Sequence, residues 1–221
     1  MNPPAWHPRG SNPMRQPPPS GSFAGLEALD ISGCDAQPLP AACARVADDA
    51  RERQAWVERE LQAAGRRIAA FAGSDARLIG RGLSMVVARG LAPGRRFCEW
   101  GSGFGGAACV AAALGFEVTG IEIEPELVQQ ARGLAAAHAL AARFVVGSYR
   151  PPGFEGGADE RAALTQALGF SPLDFDLVFV YPWPAEERMV ASLFRRFAQP
   201  GTLLAVYRGG LQFMLWRQPG T

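Results

Sequence analysis

The chain has 221 residues, of which 48% are hydrophobic, and its formal net charge is +1. This length and composition predict a single globular domain with a substantial core. A charge this close to zero argues against a basic surface for nucleic acid or for an anionic membrane. The N-terminus lacks the apolar core of a signal peptide. No apolar run approaches the roughly 20 residues that cross a bilayer, so we expect no membrane partner.

The four cysteines, Cys34, Cys43, Cys98 and Cys109, form no CxxC pair and have no histidine at metal-ligand spacing. Structural metal sites need such clusters, so we expect no metal. Cys98 and Cys109 fall in segments that are predicted to be core, where cysteine packs as a small hydrophobic residue. We expect four reduced thiols in a cytoplasmic protein.

The first part of the chain is predicted to hold a tail and a helical cap. Residues 1–43 are expected to be disordered or irregular, because residues 1–22 are dominated by proline, glycine and serine and the rest shows no periodicity. Residues 44–92 are predicted to be a cap of two helices. Two apolar stripes with a period near 3.6 run through this region, and Gly73 separates them.

From residue 93 to residue 221, apolar strands alternate with helical segments. Strand and helix in alternation predict an α/β fold, with a doubly wound, mainly parallel, Rossmann-like sheet and helices on both faces. About six strands are predicted, and the last is antiparallel because only a Gly209-Gly210 turn precedes it. The predicted strands are 96–100, 116–123, 142–148, 175–181, 202–208 and 211–217. Ligands bind such sheets outside the carboxyl ends of the strands.

A glycine-rich turn, EWGSGFGG at residues 99–106, follows the first of these strands. Gly101, Gly103 and Gly105 remove Cβ atoms where the backbone would approach a ligand, and the next helix directs its free N–H groups at the turn. Glu122 ends the second strand about 20 residues later, the spacing at which an acid binds ribose hydroxyls. The pattern predicts a ligand that contains a nucleoside, and the glycines alone fit two cofactor classes.

Glu99 favours one of these classes. A carboxylate two residues before the first glycine would repel the pyrophosphate of NAD, whereas it suits a cationic ammonium or sulfonium group. Here the sequence resembles the class I S-adenosylmethionine-dependent methyltransferases, whose first motif is an acid, any residue and GxGxG, as in EWGSGFG. The resemblance covers residues 95–217. It implies S-adenosyl-L-methionine as cofactor, bound by Glu99, Gly101, Ser102, Gly103, Gly105, Glu122, Ile123 and Ser148.

The family also implies roles for single residues. The amino acid end of the cofactor would lie against the glycine turn, Glu122 would bind the ribose, Ile123 would pack on the adenine, and Ser148 would lie near the adenine. Two features depart from the family. The family's sheet usually has seven strands, whereas about six are predicted here. YPWP at 181–184 differs from the motif of amino-group methyltransferases. We assign Tyr181 and Trp183 to the acceptor pocket, which the predicted cap and the FEGG loop at 154–157 would cover.

The expected reaction is in-line displacement of a methyl group from the sulfonium onto an acceptor, helped mainly by proximity and orientation. The sequence does not identify the acceptor, but the near-neutral charge favours a small molecule or a protein over nucleic acid. Two alternatives stay open. One is an NAD(P)-binding oxidoreductase, which the GSGFGG pattern allows and Glu99 disfavours. The other is a methyltransferase-like fold that has lost catalysis and serves as a binding module.

Overall fold

Strands and helices alternate from residue 96 onward in the computed structural model of the protein, as the apolar pattern predicts. The structure describes residues 21–65, 73–150, 159–171 and 174–220. The strands are β1 (Glu27–Leu29), β2 (Arg96–Trp100), β3 (Glu117–Glu122), β4 (Ala142–Val146), β5 (Leu177–Val180), β6 (Leu203–Tyr207) and β7 (Phe213–Arg217). The helices are α1 (Ala41–Ala63), α2 (Ala76–Ala88), α3 (Gly106–Ala113), α4 (Pro125–Ala137), α5 (Asp159–Leu168) and α6 (Glu187–Phe197), with a short 3-10 helix at Cys34–Ala36.

All seven strands form one sheet, in the order β1-β7-β6-β5-β2-β3-β4. The five strands from β2 to β6 are mutually parallel, whereas β7 pairs antiparallel with β6. This confirms the predicted doubly wound, mainly parallel Rossmann-like sheet and its antiparallel last strand. The order places the carboxyl ends of β2, β3 and β5 side by side, so the residues that follow these strands meet at one edge.

One strand was not predicted. The sheet has seven strands and not six, and the segment up to residue 43 is not irregular throughout. β1 lies in that segment and pairs antiparallel with β7, where Ala28 faces Trp216. Phe23 is 4% exposed and its ring stacks on Trp216 with the centroids 4.3 Å apart. Three residues are too few to show a strand periodicity, and it is the partner strand, far along the chain, that determines their conformation.

The sheet separates two apolar cores, because successive strand residues face opposite sides. Phe97 lies in the core beneath α1, α2, α3 and α4, and its neighbour Cys98 lies in the core beneath α5 and α6. All four cysteines are buried free thiols. Within the described residues, no helix combines the length and the apolar character needed to span a membrane.

Both helices predicted for residues 44–92 are present, and they pack on α3. A Cβ on Gly106 would lie 3.3 Å from the Cβ of Ala76 in α2 and 3.4 Å from the Cβ of Ala50 in α1, so glycine allows this close approach. Asp75 caps α2 by accepting hydrogen bonds from two of its first N–H groups. The end of the first apolar stripe (66–72), the FEGG loop and residues 1–20 of the predicted tail lie outside the described residues.

Candidate cofactor and acceptor site

The glycine turn between β2 and α3 has three residues in the left-handed region. Gly101, Gly103 and Gly105 have φ angles of 75°, 50° and 74°, a conformation that strongly favours glycine. The carbonyl of Ile121 accepts hydrogen bonds from the N–H groups of Gly101 and Ser102, both at 2.9 Å. The turn is therefore attached to β3, the strand that ends in Glu122.

Gly105 also meets its surroundings at very short range. A Cβ at this position would lie 2.7 Å from the Cβ of Ala131 in α4 and 2.9 Å from the ring of Phe144 in β4. Real Cβ atoms do not approach other heavy atoms so closely, so the turn is packed against two further elements. Gly105 precedes the first residue of α3, and this packing fixes where the amino end of α3 points.

Glu99 is a buried carboxylate beneath the turn. It is 4% exposed, and its Oε2 accepts a hydrogen bond of 2.8 Å from the N–H of Ala108 in α3. Burial raises the pKa of Glu99 well above its ordinary value of 4.5, and the nearby charge of Glu122 adds to this effect, although the Ala108 N–H opposes it. In the part of the chain that the structure describes, Glu99 forms no ion pair with a cationic side chain. A cationic ligand beside it would offset the cost of burying its charge.

Glu122 holds the turn by two backbone hydrogen bonds. Its Oε2 accepts from the N–H of Gly103 at 2.8 Å, and its Oε1 accepts from the N–H of Glu124 at 3.0 Å. The side chain is buried, with 8% of its residue surface exposed. Each carboxylate oxygen can accept more than one hydrogen bond, so Glu122 can still bind hydroxyl groups while it anchors the turn.

Two further predicted residues flank these acids. Ser102 is 5% exposed, and its hydroxyl has no hydrogen-bond partner among the described residues, which is costly for a buried polar group. Ile123 directly follows the buried Glu122, yet it is 61% exposed. The turn thus offers a buried hydroxyl and two carboxylates, with an apolar side chain at its rim.

Ser148 forms hydrogen bonds within its own loop. It is exposed, and its hydroxyl accepts from the N–H of Arg150 and donates to the carbonyl of the same residue, both at 3.0 Å. This local turn shapes the loop after β4. None of the hydrogen bonds found for Ser148 joins it to the glycine turn, so its place near an adenine stays a prediction.

The sequence places Tyr149, the neighbour of Ser148, at the carboxyl edge but assigns it no role. The ring of Tyr149 stacks on the buried Trp100 of β2, with centroids 5.1 Å apart and planes 8° apart. Burial raises the pKa of Tyr149, and the charge of Glu186 adds to this effect. Arg150 reaches the same glutamate, with 3.5 Å between guanidinium and carboxylate. The loop after β4 therefore extends toward α6. An aromatic residue after a predicted strand indicates its place at the carboxyl edge, but not its stacking on Trp100.

The predicted acceptor residues follow β5. Tyr181 is half-buried, and its ring meets that of Tyr207 edge-on at 4.9 Å. Burial raises the pKa of Tyr181, so its hydroxyl stays protonated at neutral pH. Trp183 is 45% exposed, while Pro182 between the two is buried. Both residues thus follow the carboxyl end of β5, and Tyr181 lies near the turn after the neighbouring β6, where a Cβ on Gly209 would be 3.2 Å from its hydroxyl.

A cavity of about 480 Å³ lies at the opposite edge of the sheet. Its lining comes from the amino ends of β2, β3 and β4 and includes Arg96, Glu117 and Arg143. None of the predicted site residues contributes to it. Because ligands of doubly wound sheets bind at the carboxyl ends, we place the functional site at the glycine turn and not in this cavity.

No family model and no curated protein matches the chain. Among solved structures, the chain is similar to an RNA methyltransferase from Salinibacter ruber in complex with S-adenosyl-L-homocysteine, with a TM-score of 0.51 and 18% identity over 68% of this chain and 95% of that one. It is also similar to an O-methyltransferase of tomaymycin synthesis from Streptomyces achromogenes, with a TM-score of 0.46 and 19% identity over 77% of this chain and 66% of that one.

A third similar structure is the tRNA (uracil-54, C5)-methyltransferase of Pyrococcus abyssi, with a TM-score of 0.41 and 16% identity. The alignment covers 67% of this chain but 40% of the tRNA enzyme, so that protein is much longer. The similarity to the Salinibacter enzyme shows the fold, and its TM-score is the highest of these three. The resemblance inferred from EWGSGFG is therefore confirmed at the level of the fold: the chain has the fold of a class I S-adenosylmethionine-dependent methyltransferase.

Proposed function

We propose that this chain is an S-adenosylmethionine-dependent methyltransferase. The observation that carries the proposal is the pair of buried acids around the glycine turn, Glu99 and Glu122, on adjacent parallel strands. Glu99 has no cationic side-chain partner among the described residues, so the ammonium group of a methionine moiety suits it. Glu122 keeps free acceptor capacity for ribose hydroxyls, and the exposed Ile123 beside it suits the face of an adenine.

One of these two acids, Glu99, argues against a dinucleotide cofactor. The pyrophosphate of NAD(P) would lie at the amino end of α3, where Glu99 accepts from the Ala108 N–H, and two negative groups in a poorly solvated site repel each other. A pyrophosphate site would also be expected to leave the N–H groups of the turn free. Here the Gly103 N–H donates to Glu122, and the Gly101 and Ser102 N–H groups donate to the carbonyl of Ile121.

The residues at this edge have separate tasks in the proposed reaction. When bound, S-adenosylmethionine would supply an activated methyl group: the sulfur–methyl bond breaks as the acceptor bond forms, S-adenosylhomocysteine is the leaving group, and the acceptor's proton goes to solvent. Glu99, Ser102 and Glu122 hold the cofactor, and Tyr181 and Trp183 line the place of the acceptor. The protonated Tyr181 hydroxyl can donate a hydrogen bond that orients the acceptor, so the protein contributes mainly position.

Isothermal titration calorimetry of the full chain with S-adenosylhomocysteine and, separately, with NAD⁺ tests the proposal. We expect binding of S-adenosylhomocysteine in the micromolar range and no heat from NAD⁺. A folded sample, checked by circular dichroism, that releases no heat with millimolar S-adenosylhomocysteine would contradict the proposal. Tighter binding of NAD⁺ would favour the oxidoreductase alternative.

A further inference from the structure

The exposed apolar side chains of this protein are concentrated at the carboxyl edge of the sheet. Among the described residues, five large apolar side chains are exposed: Trp56, Ile123, Val146, Trp183 and Leu211. Four of them end or follow parallel strands: Val146 ends β4, and the other three lie in the loops after β3, β5 and β6. The exception is Trp56, which lies on α1. Exposed apolar groups that gather at one place typically mark a binding surface.

The glycine turn divides these four residues into two pairs. In the sheet, β3 and β4 lie on one side of β2, whereas β5 and β6 lie on the other. Ile123 and Val146 are therefore on the side of Glu122, where the proposed function places the nucleoside. Trp183 and Leu211 are on the opposite side, together with Tyr181. We call Tyr181, Trp183 and Leu211 the acceptor rim.

The hydroxyl of Tyr181 is available within the acceptor rim. It forms no hydrogen bond with any residue that the structure describes, although the residue is partly buried and its ring packs edge-on against Tyr207. A Cβ on Gly209 would lie 3.2 Å from this hydroxyl, so the glycine leaves room for it beside the turn that carries Leu211. The rim thus combines two apolar side chains with one neutral polar group.

Two arginines near the acceptor rim are paired with acids of α6 or its N-cap. Arg208, which follows β6, pairs with Glu187 of α6 at 2.5 Å. Arg150 pairs with Glu186, which lies three residues beyond Trp183. Phosphate recognition needs arginines or lysines that are free to bind it, and these two are not. The rim therefore favours a neutral ligand over an anionic one such as RNA.

The size of the acceptor rim separates a small molecule from a protein. Trp183 and Leu211 are 45% and 48% exposed. Two half-exposed side chains offer far less apolar area than the roughly 800 Å² that each partner buries in a stable protein interface. They are sufficient to contact one ring, since aromatic side chains stack on flat apolar groups.

We propose that the methyl acceptor is a neutral small molecule with a flat apolar ring, which contacts Trp183 and Leu211 and whose polar group hydrogen-bonds with the Tyr181 hydroxyl. This inference rests on the proposed methyltransferase function and narrows its acceptor. It assigns recognition of the methyl acceptor to the turn after β6 as well as to the YPWP segment.

Calorimetry on the full chain saturated with S-adenosylhomocysteine tests the inference with three probes: 2-naphthol, which is neutral, 2-naphthoate, which has the same ring and a negative charge, and a short oligouridine. We expect 2-naphthol to bind about tenfold more tightly than 2-naphthoate, because Arg150 and Arg208 are already paired with glutamates and compensate the added carboxylate poorly. We expect no binding of oligouridine. Binding of oligouridine or preference for 2-naphthoate would overturn the inference.

Three variants locate the binding. We expect Trp183→Ala to weaken 2-naphthol binding about tenfold and Leu211→Ser to weaken it about threefold, because each removes apolar contact area. Trp56→Ala, which removes a 55% exposed indole from α1, should leave binding unchanged. Thermal melting checks that each variant is folded. Equal affinity in wild type and Trp183→Ala would overturn the inference. If S-adenosylhomocysteine itself fails to bind, the proposed function fails first. If it binds and 2-naphthol does not, only this inference fails.

Discussion

The two halves of the sheet on either side of β2 are assembled differently. On one side, β2, β3 and β4 follow one another along the chain, and α3 and α4 connect them. On the other side, β5, β6 and β7 are completed by β1, and the ion pair between Glu27 and Arg217 joins residues 190 positions apart. The β2–β4 half, here called the local half, is thus built from consecutive sequence alone. The half from β5 to β1, here called the long-range half, also needs the contact of residues 23–29 with β7.

The long-range half also reaches the proposed acceptor region. Phe23 stacks on Trp216 of β7, and the guanidinium of Arg208 lies 5.6 Å from the Phe23 ring centroid. The same guanidinium pairs with Glu187 at the start of α6. The N-terminal segment therefore supports the end of β6 from which the Gly209-Gly210 turn leaves.

The largest expected effect comes from breaking that long-range half at Phe23. Phe23→Ala removes a buried ring, and we expect a loss of about 4 kcal/mol in the free energy of unfolding, measured by urea denaturation. Trp56→Ala serves as the control, because an exposed side chain should change stability by less than about 0.5 kcal/mol. Equal losses in the two variants would mean that the N-terminal segment does not stabilise the sheet.

The local half is tested at Gly105. Gly105→Ala combines the left-handed φ of 74° with contacts of 2.7–2.9 Å to α4 and β4, so we expect a loss of about 3 kcal/mol. Gly115 has a similar φ of 85° but no atom within 4 Å of the added Cβ. Gly115→Ala therefore measures the backbone strain alone, for which we expect about 1 kcal/mol. Thermal or urea unfolding of both variants gives the difference, and no difference would show that packing at the turn is loose.

The contrast between local and long-range contacts explains how much of the fold and of the site could be predicted from the sequence. The strands and helices from residue 96 onward were predictable because each carries its own apolar period and the glycine turn has a local signature. β1 was not predictable, since its three residues form a strand only beside β7. Glu99 and Glu122 were identified as a pair, but the hydrogen bonds of Glu122 to the turn require its backbone geometry. The stacking of Tyr149 on Trp100 depends on the course of the loop after β4, for which the sequence shows no pattern.

The role of the local half in binding is tested at Glu122. Glu122→Gln replaces one of the two acceptor oxygens by an NH₂ group, which only donates. The variant side chain therefore cannot keep both hydrogen bonds, from the Gly103 N–H and from the Glu124 N–H. We expect S-adenosylhomocysteine to bind about 30-fold more weakly, equivalent to about 2 kcal/mol for a charged hydrogen-bond acceptor. Glu117→Gln changes the same residue type at the other end of β3 and should leave the affinity unchanged. Equal calorimetric affinities in the two variants would remove Glu122 from the cofactor site.

The smallest effect on stability, and the most informative about charge, is expected at Glu99 on the strand that joins the halves. Burial raises the pKa of this carboxyl in the folded protein above its ordinary value of 4.5, so the folded state holds a proton that the unfolded state loses. The stabilisation is complete below about pH 4.5 and is lost as the pH rises through the folded-state pKa. Glu99→Gln lacks this titration. The variant should therefore gain stability relative to wild type between about pH 5 and about pH 8.

Urea unfolding of both proteins at the two ends of that range measures the gain at Glu99. Ligand binding should show the opposite trend, because the carboxylate and not the carboxyl attracts an ammonium group. We expect the affinity of wild type for S-adenosylhomocysteine to exceed that of Glu99→Gln by a factor that grows from about pH 5 to about pH 8, while the ammonium stays charged. Stability curves that run parallel would show that Glu99 does not titrate in this range. If the ratio of wild-type to Glu99→Gln affinity does not change with pH, the charge of Glu99 interacts with the backbone of α3 and not with the ligand.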